Sequence, residues 1–250
     1  MTTLPPTGRP STTSRTIEVV VLAGGKGTRL APYTTVLPKP LLPIGEMPVL
    51  EILLRRLAHA GFDRVHLAVG YLAKLIESYF GDGSRFGVEL RYVREDEPLG
   101  TAGPLARIEG GFERLLVMNG DLFTALDFAA LVEQHVSSGA QATLGLLARE
   151  VPIEFGVIRT DGDRVVGFDE KPTITYDVSM GVYVFERAVL ELIPEGRHFD
   201  FPELVLELLA RSQPVGVYRS DAFWLDIGRR EDYELAQERF EELGPTLLGS

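Results

Sequence analysis

Apolar positions change rhythm along the chain, and each change marks an element. Residues 17–23 (IEVVVLA) barely alternate and are β-branched, which is the pattern of a central strand buried on both faces. Residues 49–60 carry apolar side chains at helical spacing, and Gly61 supplies the stop. Strands are predicted at 65–69, 89–93 and 115–118, with a short helix over 72–80 closed by Gly-Asp-Gly-Ser. Thr101 is expected to open a helix reaching about Ile108. Residues 127–137 (DFAALVEQHVS) are amphipathic and begin with an acidic cap. Strand and helix alternate up to about residue 148.

The second half reads differently. Residues 155–160 and 164–168, joined by Asp161-Gly162-Asp163, have the pattern of a hairpin. Strands at 182–185 and 215–219 and helices at 201–211 and 231–243 follow. The opening βαβα rhythm predicts an α/β fold with a doubly wound, mostly parallel, Rossmann-like sheet covered by helices on both faces. The hairpin predicts an antiparallel addition, making the sheet mixed. No internal repeat or linker interrupts residues 17–245, which are expected to form one domain.

Composition narrows the classes. At 250 residues and 45% hydrophobic, the chain can bury a sizeable core. No apolar run approaches the roughly 20 residues of a membrane-spanning helix. The Thr-, Ser- and Pro-rich residues 1–16 hold no apolar block, so they read as a disordered tail rather than a signal peptide. There are no cysteines, which excludes disulfides and thiolate metal sites and fits a cytoplasmic protein. The formal net charge of −11 argues against general binding to nucleic acid or anionic membrane. An anionic small substrate would need cations gathered locally, and Lys26, Arg29 and Lys39 stand close together in sequence.

Those cations frame the first candidate site. Leu22-Ala23-Gly24-Gly25-Lys26-Gly27-Thr28-Arg29 leaves the first strand, and backbone N–H groups in a Gly-rich turn form an anion-binding nest. The spacing fails the dinucleotide pattern G-x-G-x-x-G at its last position, and it fails the Walker pattern. A phosphate loop with its own arginine fits better. Pro38 and Pro40 hold Lys39 on a stiff support, although a lone loop lysine is most often just solvated. Asn119-Gly120-Asp121 ends a predicted strand, so Asp121 faces the crevice of the glycine loop. There it suits Mg²⁺, or alternatively a turn or cap. Asp226 lies among apolar neighbours in Trp224-Leu225-Asp226-Ile227-Gly228 and needs a cation or several donors as partner. Glu170 and Lys171 follow the hairpin, where ordinary solvated turn residues are common. Histidines 59, 66, 135 and 198 show no metal spacing and read as structural.

Together with Pro38-Lys39-Pro40, Glu97-Pro98-Leu99-Gly100-Thr101-Ala102, Phe155-Gly156 and Glu170-Lys171-Pro172, these segments resemble the sugar-1-phosphate nucleotidyltransferases over residues 17–240. Seven motifs occur in the family's order. The resemblance implies a nucleotide-diphospho-sugar transferase fold over residues 17–245. It also implies transfer of a nucleotidyl group from an NTP to a sugar 1-phosphate, with Mg²⁺ and release of pyrophosphate. It assigns Leu22, Ala23, Gly24, Gly25, Gly27, Thr28, Glu95, Gly100 and Thr101 to the nucleotide. Arg29, Lys39 and Asp121 are assigned to catalysis, and Asp121 and Asp226 to the metal. Gly156, Glu170, Lys171 and Gly181 are assigned to the sugar phosphate.

Base and sugar are read more finely. Relatives for uracil and thymine often carry Gln where this chain has Glu95. A carboxylate there accepts from both N1–H and N2–H₂ of guanine, and from one amino group of cytosine. GTP is therefore favoured, then CTP, and the mannose-1-phosphate guanylyltransferases are the most similar group. A manno-heptose 1-phosphate guanylyltransferase, or a cytidylyl-, uridylyl- or thymidylyltransferase, are the alternatives. Ser179-Met180-Gly181 stands where mannose enzymes tend to have Asn-Ala-Gly, which leaves the sugar open. No room is expected for the C-terminal β-helix that many relatives use in assembly, so homo-oligomerisation is open too. A non-catalytic sugar-nucleotide sensor would be expected to have lost one of Arg29, Lys39, Asp121 or Asp226. A Rossmann dehydrogenase would need the third glycine.

Overall fold

A computed structural model describes residues 16–247. The tail expected over residues 1–16 lies outside the described residues except for Thr16, whose carbonyl accepts the Glu113 N–H at 2.8 Å. The elements run β1 (Ile17–Ala23), β2 (Pro43–Ile44), β3 (Met47–Pro48), α1 (Val49–His59), β4 (Arg64–Val69), α2 (Ala73–Phe80), β5 (Glu89–Arg94), β6 (Arg114–Asn119) and β7 (Leu122–Thr124). They continue with α3 (Phe128–Ser138), β8 (Ala142–Pro152), β9 (Val157–Asp161), β10 (Arg164–Asp169), β11 (Thr173–Glu186), α4 (Phe201–Ala210), β12 (Val215–Arg219), β13 (Trp224–Asp226) and α5 (Arg230–Leu247).

The main sheet has seven strands in the order β12-β8-β11-β6-β1-β4-β5. β1 pairs in parallel with both β4 and β6, so the chain switches direction across the sheet at β1. Both faces of β1 are covered. Val19 and Val21 pack with Leu50, Leu53, Leu54 and Leu57 of α1 and with Leu131 of α3. Val20 points the other way, into a cluster with Phe185, Phe201, Leu204 and Leu208. The leucines of α1 recur every three or four residues, which is why this helix has one apolar face. A third cluster joins Ile44, Ile52, Phe123 and Ile227 to Ala236 of α5.

Three sequence expectations change. The antiparallel part of the main sheet is β11, which pairs with β6 and β8, while the β9–β10 hairpin forms its own two-stranded sheet. β11 is also far longer than the expected 182–185. Its first half, TITYDVS, is mostly exposed and lacks the apolar run that marks a buried strand. That half pairs with β8 as far as Thr173↔Pro152, whereas β6 pairs only with residues 182–186. The two strands thus run past the carboxyl end of β6 as an arm, with the hairpin between them in sequence. Finally, the helix expected from Thr101 is a five-residue 3-10 turn, Gly103–Arg107.

Candidate active site

The strands β1, β4, β5 and β6 end at one edge of the sheet, where the switch at β1 opens a crevice. A cavity of about 910 Å³ lies there, lined by residues 22–29, Lys39, Gly70, Tyr71, Glu95, Gly100, Thr101, Asn119, Asp121 and His198 among others. Every residue assigned to the nucleotide from the sequence lines it, as do Arg29, Lys39 and Asp121.

The glycine loop leads into a three-residue 3-10 turn, Thr28–Leu30, not an α-helix. An anion would therefore meet the local N–H groups of a nest rather than a helix terminus. Gly27 has φ +61°, and Thr34 Oγ1 donates to its carbonyl at 2.8 Å. A Cβ on Gly24 would lie 2.8 Å from Glu95 Oε1, so glycine there makes room for that carboxylate. Glu95 Oε2 accepts the Leu99 N–H at 3.0 Å. Burial pushes the Glu95 pKa up, opposed by the Leu99 N–H and by Arg107.

The acids come together through two three-residue strands. β13 pairs antiparallel with β7, with Asp226 opposite Leu122, and the Ile227 N–H donates to the Asp121 carbonyl at 3.1 Å. Lys39 donates to Asp121 Oδ2, and its ammonium lies 3.6 Å from Asp226 Oδ1. Burial pushes the Asp121 pKa up, Lys39 opposes the rise and Asp226 adds to it. Asp121 Oδ1 and Asp226 Oδ1 are buried and have no hydrogen-bond partner among the described residues. Arg29 reaches the same corner, since a Cβ on Gly228 would sit 3.1 Å from its Nη2.

The sugar-phosphate residues divide. Gly181 (φ +67°) is buried, and a Cβ there would lie 2.6 Å from Asn119 Nδ2, beside the cavity. Trp224 Nε1 fixes the neighbouring Met180 carbonyl at 2.7 Å. Gly156, Glu170 and Lys171 are exposed, flank the hairpin strands and do not line the cavity. Sequence reasoning missed Tyr71 and Asn119 as lining residues, and it read His198 as structural although it lines the cavity.

The nucleotidyl transferase family matches residues 18–242. The mannose-1-phosphate guanylyltransferase of Mycobacterium tuberculosis is 40% identical over 224 residues, 87% of this chain and 62% of that protein. The UTP–glucose-1-phosphate uridylyltransferase of Synechocystis is 36% identical over 240 residues, 87% of this chain and 61% of that protein. The chain therefore spans less than two thirds of either relative. The crystal structure of HddC from Yersinia pseudotuberculosis complexed with GMP-PN superposes with a TM-score of 0.69 at 28% identity, covering 89% of this chain and 99% of that one. Matched over nearly its whole length, the chain belongs to the nucleotidyl transferase family.

Proposed function

We propose that the protein transfers a nucleotidyl group from an NTP to a sugar 1-phosphate, with GTP and mannose 1-phosphate the favoured pair. The observation that carries this reading is the convergence of the glycine loop, Arg29, Lys39 and Asp121 on one cavity, with Asp226, which does not line it, 3.6 Å from the Lys39 ammonium. A cytoplasmic setting, where nucleoside triphosphates are available, suits it.

The acids fit a divalent cation. Two carboxylates stand together where phosphates would bind, and they would repel a triphosphate unless a cation stood between them. Two buried carboxylate oxygens also lack hydrogen-bond partners among the described residues, which is costly unless something compensates them. Asp121 and Asp226 would hold Mg²⁺, which would neutralise charge on the nucleotide phosphates.

The chain's own residues supply the rest. Backbone N–H groups of the glycine loop hold the triphosphate. A phosphate oxygen of the sugar 1-phosphate forms a bond to the α-phosphorus as the bond to pyrophosphate breaks, so no proton need move. Arg29 takes up charge on the departing pyrophosphate, and Lys39 steadies the phosphates in transfer. Catalysis on this reading is positioning plus charge stabilisation. One phosphoanhydride replaces another, so the reaction is close to balanced.

Glu95 supports guanine, because it lines the cavity and a carboxylate can accept from guanine's two adjacent donors. The guanylyltransferase relative and the GMP-PN complex point the same way, and the uridylyltransferase relative keeps UTP as the second reading. A manno-heptose 1-phosphate remains the alternative sugar. The test is pyrophosphate release with Mg²⁺, crossing GTP, CTP, UTP, dTTP and ATP with mannose, glucose and heptose 1-phosphates. The expected result is strongest release with GTP and mannose 1-phosphate. Release with UTP or dTTP instead would discard the reading of Glu95, and binding without release in any well would favour a sensor.

A further inference from the structure

The loop that carries Gly100 and Thr101 is braced from far along the chain. Residues 199–201, which lead into α4, lie along it backbone to backbone. The Phe199 N–H donates to the Leu99 carbonyl at 2.9 Å, and the Phe199 carbonyl accepts from Ala102 at 2.9 Å and Gly103 at 3.0 Å. The approach is close enough that a Cβ on Gly100 (φ +79°) would lie 2.6 Å from the Phe199 oxygen. Asp200 locks the contact. Its Oδ1 accepts both the Thr101 N–H at 2.8 Å and the Thr101 hydroxyl at 2.9 Å. The same hydroxyl accepts the Phe201 N–H at 2.9 Å.

We infer that Asp200 is a positioning residue for the nucleotide, acting through this loop on Glu95. The path is short and continuous. Asp200 fixes Thr101, the Phe199 backbone fixes Leu99, and the Leu99 N–H holds Glu95 Oε2 at 3.0 Å. Without the brace, the turn would keep its glycine but lose the bonds that set its distance from Gly24. A carboxylate that reads donors on a base must be held to a fraction of an ångström, because a hydrogen bond weakens steeply with misalignment. Asp200 does this without lining the cavity itself.

The inference rests on the proposed nucleotide site, and Asp200 also begins α4, so two controls are needed. Its own N–H donates to Glu203 Oε2 at 2.8 Å, half of a capping box. Glu203→Ala removes that half and leaves the Asp200–Thr101 bonds intact. Asp200→Ala removes them together with the other half of the box, in which the Asp200 side chain accepts the Glu203 N–H, and Asp200→Asn keeps an accepting oxygen. The measurement is GTP affinity by calorimetry in the absence of sugar phosphate, alongside KM for each substrate and the melting temperature. Asp200→Ala is expected to weaken GTP about tenfold, the scale of a lost hydrogen bond to a charged group. KM for mannose 1-phosphate should stay put, Asp200→Asn should restore GTP binding, and Glu203→Ala should bind GTP like wild type. Equal GTP affinity in Asp200→Ala and wild type would overturn the inference, as would an equal loss in Glu203→Ala. If wild type binds GTP but releases no pyrophosphate with any sugar phosphate, the proposed reaction fails while the affinity comparison still decides the role of Asp200. If it binds none of the five nucleotides, both fail.

Discussion

Lys39 joins three segments through one hydrogen bond and two charge pairs. Its ammonium bonds Asp121 at the end of β6 and lies 3.6 Å from Asp226 on β13. Asp121→Asn keeps the shape of this corner and removes one of its two acids, while Asp226 remains beside the ammonium. Turnover is expected to fall by at least about a hundredfold. The melting temperature should move by only a few degrees, because little packing is lost. Retained Mg²⁺-dependent activity would take Asp121 out of the metal site. Arg29→Ala should lower turnover on a similar scale with the fold intact, and a wild-type rate would end its assignment to pyrophosphate. Glu95→Gln should weaken GTP relative to UTP, read as a ratio of kcat/KM values, and an unchanged ratio would sink the account of base choice. At this scale, sequence was informative where a residue type is odd for its neighbours. Asp226 among apolar residues and Lys39 between prolines were such cases. His198, Tyr71 and Asp200 were hidden because nothing local marks them, and only long-range pairing brings them to the crevice.

The corner that joins Asp121 and Asp226 depends on elements too short for periodicity to reveal. β7 and β13 have three residues each, and their pairing sets Asp226 beside Asp121. Arg56 of α1 braces the first of them. Its guanidinium donates to the Thr124 carbonyl and, at 2.9 Å, to the Leu126 carbonyl, and it lies 5.0 Å from the centre of the Phe128 ring. Burial lowers its pKa to about 10. Arg56→Leu would strand two buried carbonyls, at a cost of about 3 kcal/mol. Thermal denaturation should show a drop of roughly 5–10 °C for a chain of this size. An unchanged midpoint would show that β7 needs no such brace. Longer elements were legible. The helix expected over residues 201–211 and the strand expected over 215–219 match α4 and β12 closely. The helix from Thr101 failed because Gly100 and Gly103 press against Phe199 and Leu99, which holds that stretch to a 3-10 turn.

For the whole molecule, the clearest pH dependence comes from a histidine outside the site. His135 of α3 is fully buried, with Nδ1 2.8 Å from Thr143 Oγ1 and Nε2 3.3 Å from a Glu186 oxygen. Burial lowers its pKa below 6.5, although Glu186 opposes the shift. The unfolded chain therefore takes up a proton near pH 6.5 that the native state resists. The contribution is intact above that pH and is lost as pH falls toward the lowered native value. Melting temperatures of wild type and His135→Asn between pH 8 and pH 5 should show the steeper fall in wild type. Parallel curves would remove His135 as the source. The α/β class and the crevice edge were legible because β1 is apolar on both faces, which demands helices above and below it. The arm was not, since its exposed strands carry mixed polar sequence and find their partners only in three dimensions.

That arm separates two kinds of choice. Residues assigned to the base sit on loops leaving the parallel strands, whereas Gly156, Glu170 and Lys171 flank the strands of the β9–β10 hairpin, which forms a sheet of its own. Under the assignment that the resemblance implies, the residues for the donor and, Gly181 apart, those for the acceptor lie on separate parts of the chain. Grafting residues 146–179 from a relative with another acceptor would be expected to change the sugar while leaving the nucleotide preference in place. The fold would then work as a fixed nucleotide dock with a replaceable sugar-side attachment.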